Sequence, residues 1–373
     1  MKQFFKQSQI SAFRLTRHHL AEQNQADLTT VCRNVCGIQA QVMSAARMAL
    51  WARMPGLTQA DIHLALWKSR TLVKTSCMRQ TLHLIPAADF SVYINALKRS
   101  RVEALRRILS RFGVTYQEAE TMNQAVVEAL ADGPMTRPAL IAHLTPRVGK
   151  KMRTYMEHVW SIQIFRPALV EGLICYGPEQ GKKATFVRVE QWLPEQRKVS
   201  EQEAQRILLR RFLSVYGPAL PQDFSRWTGI PMKETRAVWQ HLAEELLEVS
   251  IEDKKGFILR EDYDQLTNRD HGDPILRLLP GFDPYMLGHV DKNHLVDSTY
   301  YKRVYRNQGW ISPVVLLNGR VIGIWSYTRR GQRLSLEIEP FEKFSKIIQL
   351  KIEEEATRLG GFLEAFTTTN FLC

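Results

Sequence analysis

The chain has 373 residues, of which 45% are hydrophobic and 24% charged; this excludes a disordered polymer and is enough for two or three packed units. Lysine and arginine number 51 against 38 acidic residues, and a formal charge of +13 points to a polyanionic partner, nucleic acid before an anionic membrane surface. No apolar run reaches the ~20 residues of a membrane span and no secretory leader is legible after Met1, so no membrane association and a cytoplasmic, nucleoid-associated location are expected.

In the N-terminal third, Leu28–Val35 and Val42–Ala52 read as helices, and Pro55-Gly56 closes the second. Thr58-Gln-Ala-Asp61 has the spacing of a capping box ahead of a helix at Ile62–Lys68. Leu72–Ile85 then reads as one strand stopped by Pro86. In period two, Met78, Leu82 and Leu84 share one face, while Thr75, Arg79, Thr81 and His83 share the other. Hydroxyls, a guanidinium and an imidazole on one face suit a ribbon laid along a phosphate backbone, so Arg79, Thr81 and His83 are candidate DNA contacts. Residues 1–89 are thereby expected to form a first winged-helix unit. Phe90–Phe112 follows as a basic helical connector (90–117), with Lys98, Arg99, Arg101, Arg106, Arg107 and Arg111 spread around more than one face.

An internal repeat organises the centre of the chain. Glu118–Leu130 reads as a helix broken by Gly133-Pro134, followed by a short helix at Thr136–Leu144 and a longer one at Tyr155–Phe165. Leu173–Tyr176 and Thr185–Val189 then form a ribbon around the turn Gly177–Lys183. The order recurs: Glu203–Tyr216, the break Gly217-Pro218, Leu220–Thr228, Met232–Leu247, and a ribbon of Glu248–Ile251 and Phe257–Leu259. Helix, turn, helix, longer helix and β-ribbon is the winged-helix order, in which one helix commonly enters the DNA major groove. Second and third units are therefore expected at 118–193 and 194–262. Each ribbon tip carries a lysine pair, Lys182-Lys183 and Lys254-Lys255, readable as phosphate contacts or as solubilising residues.

From Ile275 onward the pattern is β-rich. Val314–Leu317 and Val321–Trp325 flank Asn318-Gly319, a dipeptide suited to a type I′ hairpin turn. Arg329, Arg330 and Arg333 cluster on the next turn, where phosphate contact is the favoured reading, and Leu334–Ile338 and a helix at Phe341–Leu359 complete a unit at 263–373. The expected fold class is α+β, mainly α: three tandem winged-helix units plus a small β-rich C-terminal unit ending in a helix. Trp51, Trp160, Trp227 and Trp239 read as packing residues, and the cysteines, with a lone Cys32-x3-Cys36, as reduced interior thiols.

Phosphate-loop, nucleophile-elbow and paired-cysteine signatures are absent, as is H-E-x-x-H. One segment is informative: Gly37-Ile-Gln39-Ala-Gln41 resembles the Gln-x-Gln signature of the AlkZ-type winged-helix DNA glycosylases. The resemblance extends through Ala49–Arg53, Pro55–Thr58, Met78–Leu84, Leu279–Tyr285 and Asn318–Gly323, covering nearly the whole chain in matching order. It implies tandem winged helices around a DNA channel, excision of alkylated bases or unhooking of crosslinks, and Gln39 and Gln41 as catalytic residues. A related YcaQ-like branch carries Asp where this chain has Gln41, which places the chain nearer the AlkZ branch. Asp283 and Tyr285 fall in a matching motif, although Asp-Pro is also a turn former.

The glutamines are chemically credible for that reaction. Cleaving a glycosidic bond builds positive charge on the sugar, and an ordinary base wants protonation in order to leave. A purine alkylated at N7 is already cationic and leaves neutral, so it needs mainly a positioned water. A carboxamide holds water through its carbonyl and fixes its own rotamer through its N–H groups, but it is a poor general base. The expected protein is a monomeric, cofactor-free glycosylase acting on duplex DNA carrying alkylated bases or crosslinks. The alternative is a non-catalytic winged-helix DNA-binding protein such as a transcriptional regulator, which would usually dimerise.

Overall fold

The computed structural model describes residues 4–21, 26–159, 164–252, 254–267 and 273–372. The chain separates into two compact units. One, the inserted unit, is His63–Leu208 with Thr228–Pro231; the other, discontinuous in sequence, gathers Met1–Ile62, Leu209–Trp227 and Met232–Cys373. Helices and small sheets alternate along the chain, so the α+β class holds. Among the described residues no helix is long and apolar enough to cross a membrane.

The discontinuous unit opens with β1 (Phe4–Phe5), α1 (Gln7–Arg17), α2 (Leu28–Asn34), β2 (Ile38–Gln39), α3 (Met43–Trp51) and the start of α4 (Gln59–His63). Asp27 caps α2 by accepting the Thr29 and Thr30 amides at 2.8 and 3.0 Å. At Thr58 the expected capping box forms: its hydroxyl accepts the Asp61 amide at 3.1 Å, and the Asp61 carboxylate accepts the Thr58 amide at 2.9 Å.

In the inserted unit, the stretch read as a single strand is a hairpin of β3 (Leu72–Ser76) and β4 (Leu82–Pro86), with Thr75 opposite His83. The chain reverses between them through Arg79 and Gln80, at φ of 51° and 64°, closed by the Gln80 amide on the Cys77 carbonyl at 2.9 Å. Neither residue is a usual left-handed turn former, so nothing in the sequence announces the reversal. The expected connector is α5 (Phe90–Ser110), and it is a core helix rather than a solvated one. Tyr93, Leu97, Arg101, Leu105 and Leu109 recur at every fourth position and are buried. Arg101 is among them, its guanidinium donating to Ser76 Oγ at 3.1 Å, while Arg99, Arg106, Arg107 and Arg111 stay exposed.

The first clear repeat follows as α6 (Tyr116–Ala129), β5 (Met135–Thr136), α7 (Arg137–Leu144), α8 (Lys150–His158), α9 (Arg166–Val170), the hairpin β6 (Ile174–Gln180) and β7 (Lys183–Arg188), and α10 (Val189–Trp192). The helix expected at Tyr155–Phe165 instead starts at Lys150 and ends before Val159, whose ψ of 140° is extended; Trp160 lies outside the described residues. Met122 and Val126 of α6, Leu140 and Leu144 of α7, and Tyr155 of α8 share one core with Phe165 and Phe186. Each such side chain contributes roughly 1.5–3 kcal/mol by leaving water.

The second repeat is α11 (Glu201–Tyr216), ended by Gly217-Pro218 as expected, then α12 (Pro221–Thr228), α13 (Met232–His241) and the hairpin β8 (Leu246–Ile251) and β9 (Lys254–Leu259). Strand β1 adds to it in parallel, Phe4 opposite Ser250, and Phe5, Ile10 and Phe13 pack on Val249 and Ile258 beneath α14 (Tyr263–Thr267).

The C-terminal part is a five-stranded sheet in chain order, β10 (Leu276–Leu279), β11 (Val314–Leu317), β12 (Arg320–Arg330), β13 (Arg333–Pro340) and β14 (Phe366–Phe371). The long β10–β11 connection carries the short helix α15 (Tyr301–Val304). Asn318 and Gly319, at φ of 47° and 83°, close the expected type I′ turn between β11 and β12. The last helix, α16 (Lys346–Phe362), starts later than expected because β13 runs on to Pro340 and Ser345 supplies the cap. It crosses over to β14, which pairs in parallel with β13 and was not anticipated. Ile352, Ala356 and Leu359 of α16 are buried. Trp51 at the end of α3 stacks on Phe362 at 6.3 Å, which ties α3 to this helix. Trp227 and Trp239 are buried, as expected of packing residues, and so are Cys32, Cys36, Cys77 and Cys175, all free thiols.

Candidate functional site

The Gln-Ala-Gln segment is placed by a sharp reversal. After α2, Cys36 and Gly37 both adopt left-handed backbone (φ 59° and 89°), and the Gly37 amide bonds back to the Cys32 carbonyl at 2.8 Å. The chain leaves this reversal as β2, so that Gln39 sits at the end of the strand and Gln41 lies before the first turn of α3. Gln39 is buried, 8% exposed, whereas Gln41 is open to solvent. One amide is thus shielded from bulk water and its neighbour meets it.

Arg53, just past the end of α3, is the largest fully buried side chain in the described chain. Its guanidinium donates to both oxygens of Asp283, each at 2.7 Å, and to the Ala49 carbonyl at 2.7 Å. Asp283 Oδ1 also accepts the Tyr285 amide at 2.9 Å, and the Tyr285 hydroxyl donates to the Gly319 carbonyl at 3.3 Å. Asp283 therefore pins the loop after β10 against α3 instead of facing a substrate. The sequence offered Arg53 only as part of a family match; nothing in its local pattern announced a buried cation.

Between the N-terminal turn of α3 and that loop lies a groove of about 1070 Å³. Val42, Ser44 and Met48 form one side; Phe282, Tyr301, Tyr305, Trp310 and Tyr327 contribute aromatic surface on the other. Phe282 has a left-handed φ of 63° immediately before Asp283, and its ring meets Trp310 at 5.3 Å. Tyr301 stacks on Tyr305 at 4.9 Å, and the Tyr305 hydroxyl donates to the Met286 carbonyl at 3.0 Å. The aromatics of this connection, spread from Phe282 to Trp310 in no helix or strand period, were the legible but unread signal.

The other predicted contacts are dispersed. Arg79 and Thr81 are half-buried at the β3–β4 turn, and His83 is buried, 2% exposed, its Nδ1–H donating to the Thr81 carbonyl at 3.0 Å. Burial first, then the Arg79 charge, pushes the His83 pKa down to about 3, so its ring is neutral at ordinary pH. Lys182 and Lys183 stand exposed at the β6–β7 tip. Lys254 and Lys255 are also exposed, but they pair with Asp291 and Glu248 at 2.5 and 2.8 Å, contacts that surface screening keeps weak. Arg329, Arg330 and Arg333 are exposed at the β12–β13 tip, where Arg330 lies opposite Arg333.

The comparisons with known proteins agree with one another. The interstrand DNA cross-link repair glycosylase of Streptomyces sahachiroi is 28% identical over 359 residues, covering 94% of this chain and 95% of that protein. The solved structure of the Streptomyces sahachiroi DNA glycosylase AlkZ matches with a TM-score of 0.85 at 28% identity, over 99% of this chain and 100% of that one. The family model for DNA glycosylase AlkZ-like proteins matches residues 32–362, and the chain therefore belongs to the AlkZ-like family of DNA glycosylases.

Proposed function

We propose that this glycosylase hydrolyses the N-glycosidic bond of N7-alkylated purines in duplex DNA, and unhooks interstrand crosslinks made through such adducts, as a monomer without a cofactor. The observation that carries the reading is a shielded Gln39 followed two residues later by an exposed Gln41, with Val42 of the groove beside α3 next in the chain. Gln41 holds the attacking water through its carbonyl, and Gln39 fixes the local geometry from within. The water oxygen forms a bond to C1′ as the C1′–N9 pair departs with the base. The cationic N7-alkylpurine becomes neutral as it leaves, and the surplus proton of the water passes to solvent. No acid is needed, which suits a site whose two central side chains are amides. The hairpin arginines Arg329, Arg330 and Arg333, with Lys182, Lys183 and the β3–β4 turn, supply phosphate contacts whose attraction is sequence-independent.

Support comes from the family, whose curated relative in Streptomyces sahachiroi is named for interstrand crosslink repair. The test is single-turnover release of free base from a duplex carrying one N7-methylguanine, alongside strand separation of an N7-crosslinked duplex on a denaturing gel. Release from the cationic lesion with none from uracil or 8-oxoguanine is the expected result. Release from uncharged lesions at a similar rate, or from none, overturns the reading.

A further inference from the structure

We infer that the aromatic groove beside Gln41 is a binding site for the planar aryl arm of a bulky DNA adduct, and so sets which lesions this enzyme removes; this rests on the proposed glycosylase reading. The groove begins at Val42, the residue after Gln41, and continues along Ser44 and Met48 to the β10–β11 connection. A group hanging from a base whose sugar bond lies at Gln41 has an apolar groove opening one residue further along the chain. At about 1070 Å³ it lies just above the range for sites that take drug-sized molecules, roughly 300–1,000 Å³.

Its walls suit a flat ring. Trp310 is 54% exposed and Tyr301 41%, large apolar faces left open to solvent, with Phe282 tilted against Trp310 at 5.3 Å and Tyr305 stacked on Tyr301 at 4.9 Å. Rings held against other rings are restrained in the free protein, so stacking a planar group on them costs little further side-chain freedom. Lys302 and Arg306 line the same groove and are exposed, so two cations are available to the phosphates that flank an adduct held there. Tyr327 joins the groove to the arginine tip, since Arg329 follows two residues later on the same face of β12. Arg53 and Asp283 brace it from below by locking the residue after Phe282 to α3.

The test compares two duplexes, one with N7-methylguanine and one with an N7-guanine adduct bearing a pyrenylmethyl arm, and follows both base release and pyrene fluorescence. The unmutated protein should quench pyrene on binding. Trp310→Ala should lower the ratio of pyrenyl-adduct to methyl-adduct release about 10–100-fold, the range of a lost base–aromatic stack. Trp310→Phe should restore most of that ratio and of the quenching. An unchanged ratio in Trp310→Ala, or pyrene left unquenched while 2-aminopurine beside the methyl lesion is quenched, overturns the inference; the latter would mean that the groove takes a nucleobase. Absence of release from both duplexes with pyrene quenching intact overturns the proposed chemistry and leaves the groove assignment standing.

Discussion

Arg53 and Asp283 form a bidentate pair, two parallel hydrogen bonds of 2.7 Å between side chains that are both fully buried. Removing one partner leaves an uncompensated charge in the interior, which typically costs about 3–5 kcal/mol. Asp283→Ala should therefore lower stability by that order in urea unfolding and reduce activity with it. The double variant Arg53→Met, Asp283→Leu should be markedly more stable than Asp283→Ala, because the pair's strength is largely offset by desolvation. Equal stability of the two variants would show that the pair is not the brace described.

The glutamine assignment predicts selective loss of chemistry. Gln39→Ala and Gln41→Ala should each slow single-turnover base release by on the order of 10²–10⁴-fold, with the melting temperature and duplex affinity nearly unchanged. Gln41→Asp should retain part of the activity, since a carboxylate also holds water. Both alanine variants releasing N7-alkylguanine at the original rate would remove the glutamines from the mechanism.

Duplex affinity should fall steeply with salt and vary little with sequence, because the proposed phosphate contacts displace counterions. Replacing Arg329, Arg330 and Arg333 together by alanine should shallow the slope of log affinity against log salt by about 1 per arginine that touches phosphate. An unaltered slope would place the β12–β13 tip off the DNA.

Stability should fall as the solution is acidified below about pH 6. His83 is held down to about 3, and burial pushes His18 and His289 well below their ordinary value. These groups bind protons in the unfolded chain before they do so in the folded one, so stability is full above the unfolded pKa and is lost as pH falls. Each contributes about 1.4 kcal/mol per pH unit at most within its window. Burial raises Asp262 to about 6, and it acts in the opposite sense over the same acidic range, offsetting roughly one histidine. A urea midpoint that stays flat or rises between pH 6 and 4 would contradict this balance. His83→Gln should remove about one proton's share of the slope.

Much of the architecture was legible because punctuation and period agreed. Gly217-Pro218 stops α11, Asn318-Gly319 turns β11 into β12, and the Thr58–Asp61 box starts α4. The failures share a cause, which is that a local pattern cannot report a tertiary partner. The β3–β4 reversal uses Arg79 and Gln80 where glycine or asparagine would have signalled a turn. Arg101 reads as one base among several until Ser76 and the surrounding core claim it. Strands β1 and β14 are completed by distant pairing, and Asp283 looks like a turn former until Arg53 reaches it. At the site, the Gln-x-Gln segment was visible only through family likeness, since amides are common on any protein surface.

The interrupted composition of the larger unit has a consequence for biosynthesis. Residues 63–208 make up nearly all of the inserted unit and leave the ribosome together, so its core can close while the rest of the chain is still being made. Residues 1–62 emerge earlier yet belong with 209–227 and 232–373, and Phe4 and Phe5 find their strand partners only at Ser250 and Ile251. Until then β1 and the apolar side of α1, with Phe5, Ile10 and Phe13, lack their core partners Val249, Ile258 and Leu266. Segment 1–62 is thus exposed to chaperone capture and to misassociation for longer than 63–208, and its exposure ends only once Val249, Ile258 and Leu266 have emerged to complete the core it shares with them.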